Sequence, residues 1–180
     1  MKLLGISGAL AGAKTAVLVN KVLEKAKEHH PALDVELVNL GDYSLDFADG
    51  RPFEAYNDDT RKVINTIKDA DIFVIGSPVY QASITGALKN VFDLLPQDIF
   101  DSKIVGLVMN GGTERHYLVM ENQLRPIVSF LKAYIPAKNL FVSSSSFDAQ
   151  NEINDEDIKA RINSLAEELI SLHLKINGSN

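Results

Sequence analysis

A repeated alternation constrains this chain more than any other feature. Short, largely apolar runs at residues 2–7, 35–40, 71–77, 103–109 and 139–144 are separated by segments whose apolar residues fall at helical spacing. Ala16, Val19, Val22, Leu23 and Ala26 share one helical face after the first run, and Ile84, Leu88, Val91, Phe92 and Leu95 share one after the third. Runs of strand length without strict two-residue alternation belong to strands buried on both faces, which requires helices above and below a parallel sheet. The pattern therefore predicts an α/β fold: a three-layer α/β/α sandwich around a five-stranded parallel sheet, with strand order 2-1-3-4-5 the common arrangement at this size.

The final segment places Ile158, Ile162, Leu165, Leu169, Leu172 and Ile176 at alternating intervals of four and three residues. With Asn154 as N-cap and Asp155, Glu156 and Asp157 in the first turn, it reads as a helix packed on the sheet. Pro126 falls inside the helical pattern after the fourth run, so that helix must either bend there or start late. Residues 41–59 form the longest irregular connection. They are acidic yet carry Leu45, Phe47, Phe53 and Tyr56, which suits a loop that covers a site or a partner surface. No repeat or linker interrupts the chain, and a single domain over residues 1–180 is expected.

Composition excludes several functions. At 46% hydrophobic and 23% charged residues the chain has the makeup of a globular protein, and its apolar runs stop far short of the ~20 residues needed to cross a bilayer. One lysine leads directly into Leu3-Leu4-Gly5-Ile6, so no secretory signal is expected and the chain reads as cytoplasmic. The absence of cysteine excludes disulfides, thiolate metal sites, iron–sulfur clusters and a cysteine nucleophile. A net charge of −6 without a basic cluster argues against nucleic acid as a partner. Histidines and carboxylates are scattered without metal spacing, and no Ser-His-Asp set stands out, so any redox chemistry must be carried by a bound cofactor.

Ligands of open parallel sheets bind beyond the carboxyl ends of the strands, which directs attention to the segments after the first, third and fourth runs. The first is Ser7-Gly8-Ala9-Leu10-Ala11-Gly12-Ala13-Lys14-Thr15. Its small residues let backbone N–H groups approach an anion, the helix that follows adds partial positive charge, and Lys14 and Thr15 add donors, a set that suits a phosphate. It nearly spells the nucleoside-triphosphate pattern G-x-x-x-x-G-K-[ST], but Ala13 stands where the second glycine is required, and no carboxylate ends the third run to hold magnesium. A tight turn before an ordinary helix is the alternative. In the second segment, Pro78 fixes the backbone and Tyr80 offers an aromatic face beside free N–H groups, a turn able to hold a flat ring. Thr85 reads as the cap of the next helix, and a purely structural Tyr80 stays open. In the third, Asn110-Gly111-Gly112, adjacent glycines let a ligand lie against the main chain. The serines at 143–146 end the fifth run and read as a polar loop.

These blocks resemble those of the NADPH-dependent FMN reductases, a flavodoxin-like family that includes quinone, azo-compound and chromate reductases. The most specific part is Gly76-Ser77-Pro78-Val79-Tyr80 through Ser83, Thr85-Gly86 and Leu88-Lys89-Asn90 to Asp93, which is similar to the family's flavin-ring loop and following helix. The resemblance implies FMN as cofactor, with Ser7, Ala9, Lys14 and Thr15 at its phosphate. It also implies Pro78, Val79, Tyr80, Gln81 and Ser83 along the ribityl chain and ring, and Asn110, Gly111 and Gly112 at the edge of the isoalloxazine. Many members write the phosphate loop as G-S-x-R-x-x-S. Here the loop is shorter, Ala9 and Ala11 stand near those places, and Lys14 is its only cation.

The implied activity is an oxidoreductase in which NADPH or NADH gives a hydride to the flavin and leaves, after which a small acceptor takes the electrons. Such transfer depends on stacking and alignment, so no protein residue is assigned a catalytic role and none a metal. The resemblance further implies a homodimer or homotetramer, and the aromatic loop at residues 41–59 suits its interface. The alternatives are a flavodoxin-type electron carrier without nicotinamide activity and, third, a small P-loop nucleotidase or kinase.

Overall fold

The chain threads a parallel sheet in the order β2-β1-β3-β4-β5, as expected. The structure is a computed structural model that describes residues 1–178; the expected domain limit at 180 lies two residues outside them. Strand β1 (Lys2–Ser7) pairs with β2 (Asp34–Asn39) and β3 (Ile72–Pro78), β3 with β4 (Ile104–Gly111), and β4 with β5 (Leu140–Ser143). Helices α1 (Lys14–His29) and α6 (Glu156–Asn177) cover one face. The other face carries α2 (Asp58–Lys68), α3 (Gly86–Leu94) and the pair α4 (Tyr117–Val119) and α5 (Arg125–Phe130).

Each central strand serves two cores at once. Ile72 and Val74 point to the α1/α6 core while Phe73 and Ile75 point to the other, and in β4 Ile104 and Val108 oppose Val105, Leu107 and Met109. Side chains alternate sides along a strand, so a strand sandwiched between helices needs apolar residues at every position. The largely apolar runs follow from that geometry.

Two glycines set how closely α1 approaches the sheet. A Cβ on Gly76 would stand 2.4 Å from Val19 Cγ2 and 3.1 Å from Thr15 Cγ2, and one on Gly5 would stand 2.7 Å from both Leu23 and Val19. Only hydrogen in place of a side chain lets the helix lie there.

Local chemistry fixes the helix starts. Thr85 caps α3, its hydroxyl oxygen accepting from the Leu88 N–H at 3.1 Å, as expected. The cap of α6 is Asp155, which accepts from the Asp157 and Ile158 N–H groups; Asn154, the expected cap, instead donates its side-chain amide to Asp148. Along α6 the stripe is buried through Leu169, Leu172 is half-buried and Ile176 is exposed, so the last turn runs past the sheet. The helix that contains Pro126 starts at Tyr117 and passes through a π turn at Met120–Leu124, where the Arg125 N–H reaches back to the Met120 carbonyl. Pro126 supplies no N–H, and this longer-range bond accommodates the gap one residue ahead of it.

The connection at residues 41–59 is an ordered bracket. Asn90 on α3 accepts from the Ala48 N–H and donates to the Asp46 carbonyl, both at 2.9 Å, while Asp59 and Thr60 take the Ser44 and Asp46 N–H groups. Leu45 and Phe53 pack on the core and Tyr56 is buried, so of the aromatic residues read as a covering surface only Phe47 stands out, 79% exposed. Aromatic residues in irregular chain carry no periodicity, and their burial was not visible in the sequence.

Gly76→Ala should overpack the α1 contact and cost roughly 1–3 kcal/mol, lowering the melting temperature by about 3–10 °C. Thermal denaturation followed by circular dichroism measures it, and an unchanged melting temperature refutes the close-approach account.

Candidate functional site

The loops after β1, β3 and β4 are joined to one another before any ligand is considered. The Thr15 hydroxyl, buried at the start of α1, donates to Asn110 Oδ1 at 2.7 Å, tying the first loop to the third. The Gly8 N–H donates to the Gly76 carbonyl at 2.8 Å and the Thr85 hydroxyl to the Gly8 carbonyl at 2.7 Å, tying the first to the second. The Val79 N–H donates to the Asn110 carbonyl at 2.9 Å, tying the second to the third.

Between them opens a cleft of about 350 Å³. Ala11, Gly12, Ala13, Lys14 and Thr15 form one wall of it, Pro78, Val79 and Tyr80 another, and Asn110, Gly111 and Gly112 a third. Larger hollows of about 490 and 590 Å³ lie between α3 and α5 and between α1 and α6. Those sit on helix flanks, away from the carboxyl edge of the sheet, and size alone does not make them the site.

The first wall is electropositive. Helix α1 begins without a side-chain cap, because the Ala13 side chain is a methyl group, and its first turn holds no acidic residue. Its leading N–H groups and the positive end of its dipole are thus left for a ligand. Beside them the Lys14 ammonium donates to the Ser144 carbonyl at 2.9 Å and stands 5.5 Å from the centre of the Phe147 ring. A lysine carries three donors, so two remain.

The other walls are apolar or bare backbone. Tyr80 is 46% exposed, which excludes the core reading of that residue. A Cβ on Gly111 would stand 3.1 Å from Phe141 and 3.3 Å from Val79, whereas one on Gly112 would meet nothing within 4 Å. A side chain at 111 would thus press on Phe141 and Val79, while one at 112 would stand in open space.

Eight of the residues singled out in the sequence line this cleft: Lys14, Thr15, Pro78, Val79, Tyr80, Asn110, Gly111 and Gly112. Ser7 and Ala9 are buried and open instead on a smaller hollow behind the first loop, against Asn39 and Asp42. Gln81 and Ser83 belong to a turn just beyond Tyr80, where the Ser83 hydroxyl donates to Gln123. Among the described residues, no group of three or more His, Asp and Glu side chains is placed to hold a metal.

Two lining residues escaped sequence reasoning. Ser144 follows directly on β5 and engages Lys14 through its carbonyl; its place at the same sheet edge was the available signal. Asn151 arrives on a turn organised by Asp148, whose carboxylate accepts from the Gln150 and Glu152 N–H groups and from Asn154. These bonds, the one from Glu152 foremost, hold the Asp148 carboxyl below the usual carboxylate range. Asn151 has φ 62°, a backbone region asparagine tolerates better than most residues.

Comparison with known proteins finds flavin reductases among the chain's relatives. The NAD(P)H-dependent FAD/FMN reductase of Geobacillus thermodenitrificans is 47% identical over 173 residues, covering 96% of this chain and 94% of that protein. The NADH-dependent FMN reductase SfnF of Pseudomonas fluorescens is 31% identical, covering 97% of this chain and 95% of its own. The crystal structure of an NADH:FMN oxidoreductase superposes with a TM-score of 0.79 at 21% identity, covering 99% of this chain and 91% of that one, a likeness of fold. Residues 1–148 match the family model for NADPH-dependent FMN reductase, and the chain belongs to that family.

Proposed function

We propose that the cleft at the carboxyl edge of the sheet holds FMN, and that the chain passes electrons from NADPH or NADH through it to a small acceptor such as a quinone, an azo compound or a free flavin. The family's NAD(P)H-dependent flavin reduction is the activity of the chain. One observation carries the placement of the cofactor: an uncapped helix N-terminus with a lysine shares a single cleft with an apolar, tyrosine-bearing loop and a pair of glycines. The donor set fits a phosphate, and the flat remainder fits a ring system.

When bound, the flavin supplies the hydride and electron chemistry. The chain's own residues bind and orient. The α1 N–H groups and Lys14 take the phosphate, and Thr15, already committed to Asn110, keeps the first and third loops in register. Pro78, Val79 and Tyr80 pack along the ribityl chain and ring, while Gly111 and Gly112 expose backbone to the ring edge. Ser7, Ala9, Gln81 and Ser83 act through the loops they belong to. This reading treats the chain as one flavin-binding unit in the cytoplasm, where reduced nicotinamides are available. Against the electron-carrier alternative stand relatives named as nicotinamide-dependent reductases.

Lys14→Ala should remove one charge-assisted contact, of order 1.5–3 kcal/mol, and weaken FMN by roughly tenfold to a hundredfold. Fluorescence titration reads this, and an unchanged affinity moves the phosphate elsewhere. Tyr80→Ala should alter the bound-flavin absorbance or affinity while leaving the melting temperature within about 2 °C, since the ring packs on a loop surface. A native spectrum with a lost fold sinks the ring-loop assignment. The exposed Phe47 supports at least a dimer, as a homodimer or homotetramer, whose contact includes the bracket at residues 41–59. Light scattering at micromolar concentration should give at least twice the 19.7 kDa chain mass. Phe47→Ser should lower it, and a monomeric parent protein rejects the assembly.

A further inference from the structure

Just beyond Tyr80 the backbone adopts a shape its residues do not favour. Gln81 has φ 48° and Ala82 φ 59°, two consecutive positive values without a glycine, while Tyr80 and Ser83 exchange both backbone hydrogen bonds across them, at 2.9 and 3.0 Å. That is the pattern of a two-residue type I′ turn, which ordinarily takes Asn-Gly because a Cβ is strained in the left-handed region. A Gln-Ala turn of this kind persists only where surrounding structure holds it.

The flanks of the turn are anchored separately. Upstream, the Val79 N–H is fixed on Asn110; downstream, Thr85 is fixed on Ser77 and Gly8. Among the described hydrogen bonds, one side chain from outside grips the turn itself. Gln123 Oε1 accepts from the Ser83 hydroxyl at 2.5 Å and Gln123 Nε2 donates to the Ala82 carbonyl at 2.9 Å, so a single amide satisfies both partners. Gln123 lies in the π turn between Met120 and Leu124, both buried in the core, which gives it a firm base. It does not line the cleft, whereas Tyr80 does.

We propose that Gln123 is a positioning residue that clamps the strained Tyr80–Ser83 turn and thereby sets where Tyr80 stands in the cleft. The inference rests on the flavin reading of that cleft. It assigns the flavin-ring side to Gln123 and the phosphate side to Lys14, so the two residues should discriminate differently between flavins with and without a phosphate.

The test uses the full chain as Gln123→Leu, which loses both bonds, Gln123→Glu, which keeps the acceptor but turns a second oxygen toward the Ala82 carbonyl, and Gln123→Leu combined with Ala82→Gly, which relieves the strain. Hydrogen exchange of the flavin-free protein reads the turn, and titration with FMN and with riboflavin reads the cleft. Both single variants should exchange the Tyr80 and Ser83 amides about tenfold faster, with the rest of the sheet unchanged. Both should weaken FMN and riboflavin by the same factor, about fivefold to twentyfold, equivalent to losing one or two ordinary hydrogen bonds. The added glycine should restore most of each loss. Native exchange in Gln123→Leu, faster exchange throughout the protein, a loss confined to FMN, or a glycine variant no better than its parent overturns the clamp. If the parent protein binds neither flavin, the flavin reading fails, and the exchange measurement still decides whether Gln123 holds the turn.

Discussion

The contact between α1 and the sheet at Gly5 and Gly76 is the constraint on which the rest of this molecule depends. Because no Cβ intervenes, the helix lies close enough for Thr15 to reach Asn110 across β3. That bond sets the spacing of the first and third loops, and Gly8 and Val79 tie the second between them. The cleft is therefore a consequence of helix–sheet packing rather than a feature of flexible loops, and its precision comes from rigid elements underneath it. A side chain at Gly76 would lift both the helix and the positive end of its dipole.

Much of this was legible in advance, for a definite reason. Strands that serve two cores must be apolar throughout, so the runs, their parallel sense and the sheet order could be read without structure. The loops that follow β1, β3 and β4 inherit their importance from that topology. What stayed hidden depends on competition between distant groups. Asn154 and Asp155 are both good caps, and the choice is made by Asp148, which claims the Asn154 amide. Tyr56 and Phe53 sit in chain with no period, and their stem is held by Arg61, which donates to the Glu54 and Tyr56 carbonyls from the next helix. Ser144 and Gln123 meet their partners across long stretches of sequence, and Asn151 reaches the cleft only because a turn organised by Asp148 carries it there.

The electrostatics of the cleft run against those of the whole chain. A net charge of −6 repels an anionic ligand at a distance, and screening confines that effect to roughly 8–10 Å at physiological salt. Binding of a phosphate must then come from short-range, directional donors: the open α1 terminus and the two protons of Lys14 not used by Ser144. Because Lys14 already has a carbonyl and an aromatic face as partners, its ammonium is held near the cleft instead of sampling solvent, which reduces the ordering entropy that a ligand contact would otherwise cost.

The bracket at residues 41–59 has a consequence for how this scaffold tolerates change. Its near stem is sutured to α3 by Asn90, and its far stem is held where Arg61 donates to the Glu54 and Tyr56 carbonyls. The tip between them has Gly50 at φ 83°, and Arg51 braces it by pairing with Asp49 and Asp46 and lying 5.2 Å from the centre of the Tyr56 ring. Loop-closure entropy rises only with the logarithm of length, so doubling such a tip costs about 0.6 kcal/mol. Chain added at Gly50 is consequently cheap in entropy while both stems stay in register, and the subunit contact proposed through Phe47 limits what such an insertion can carry.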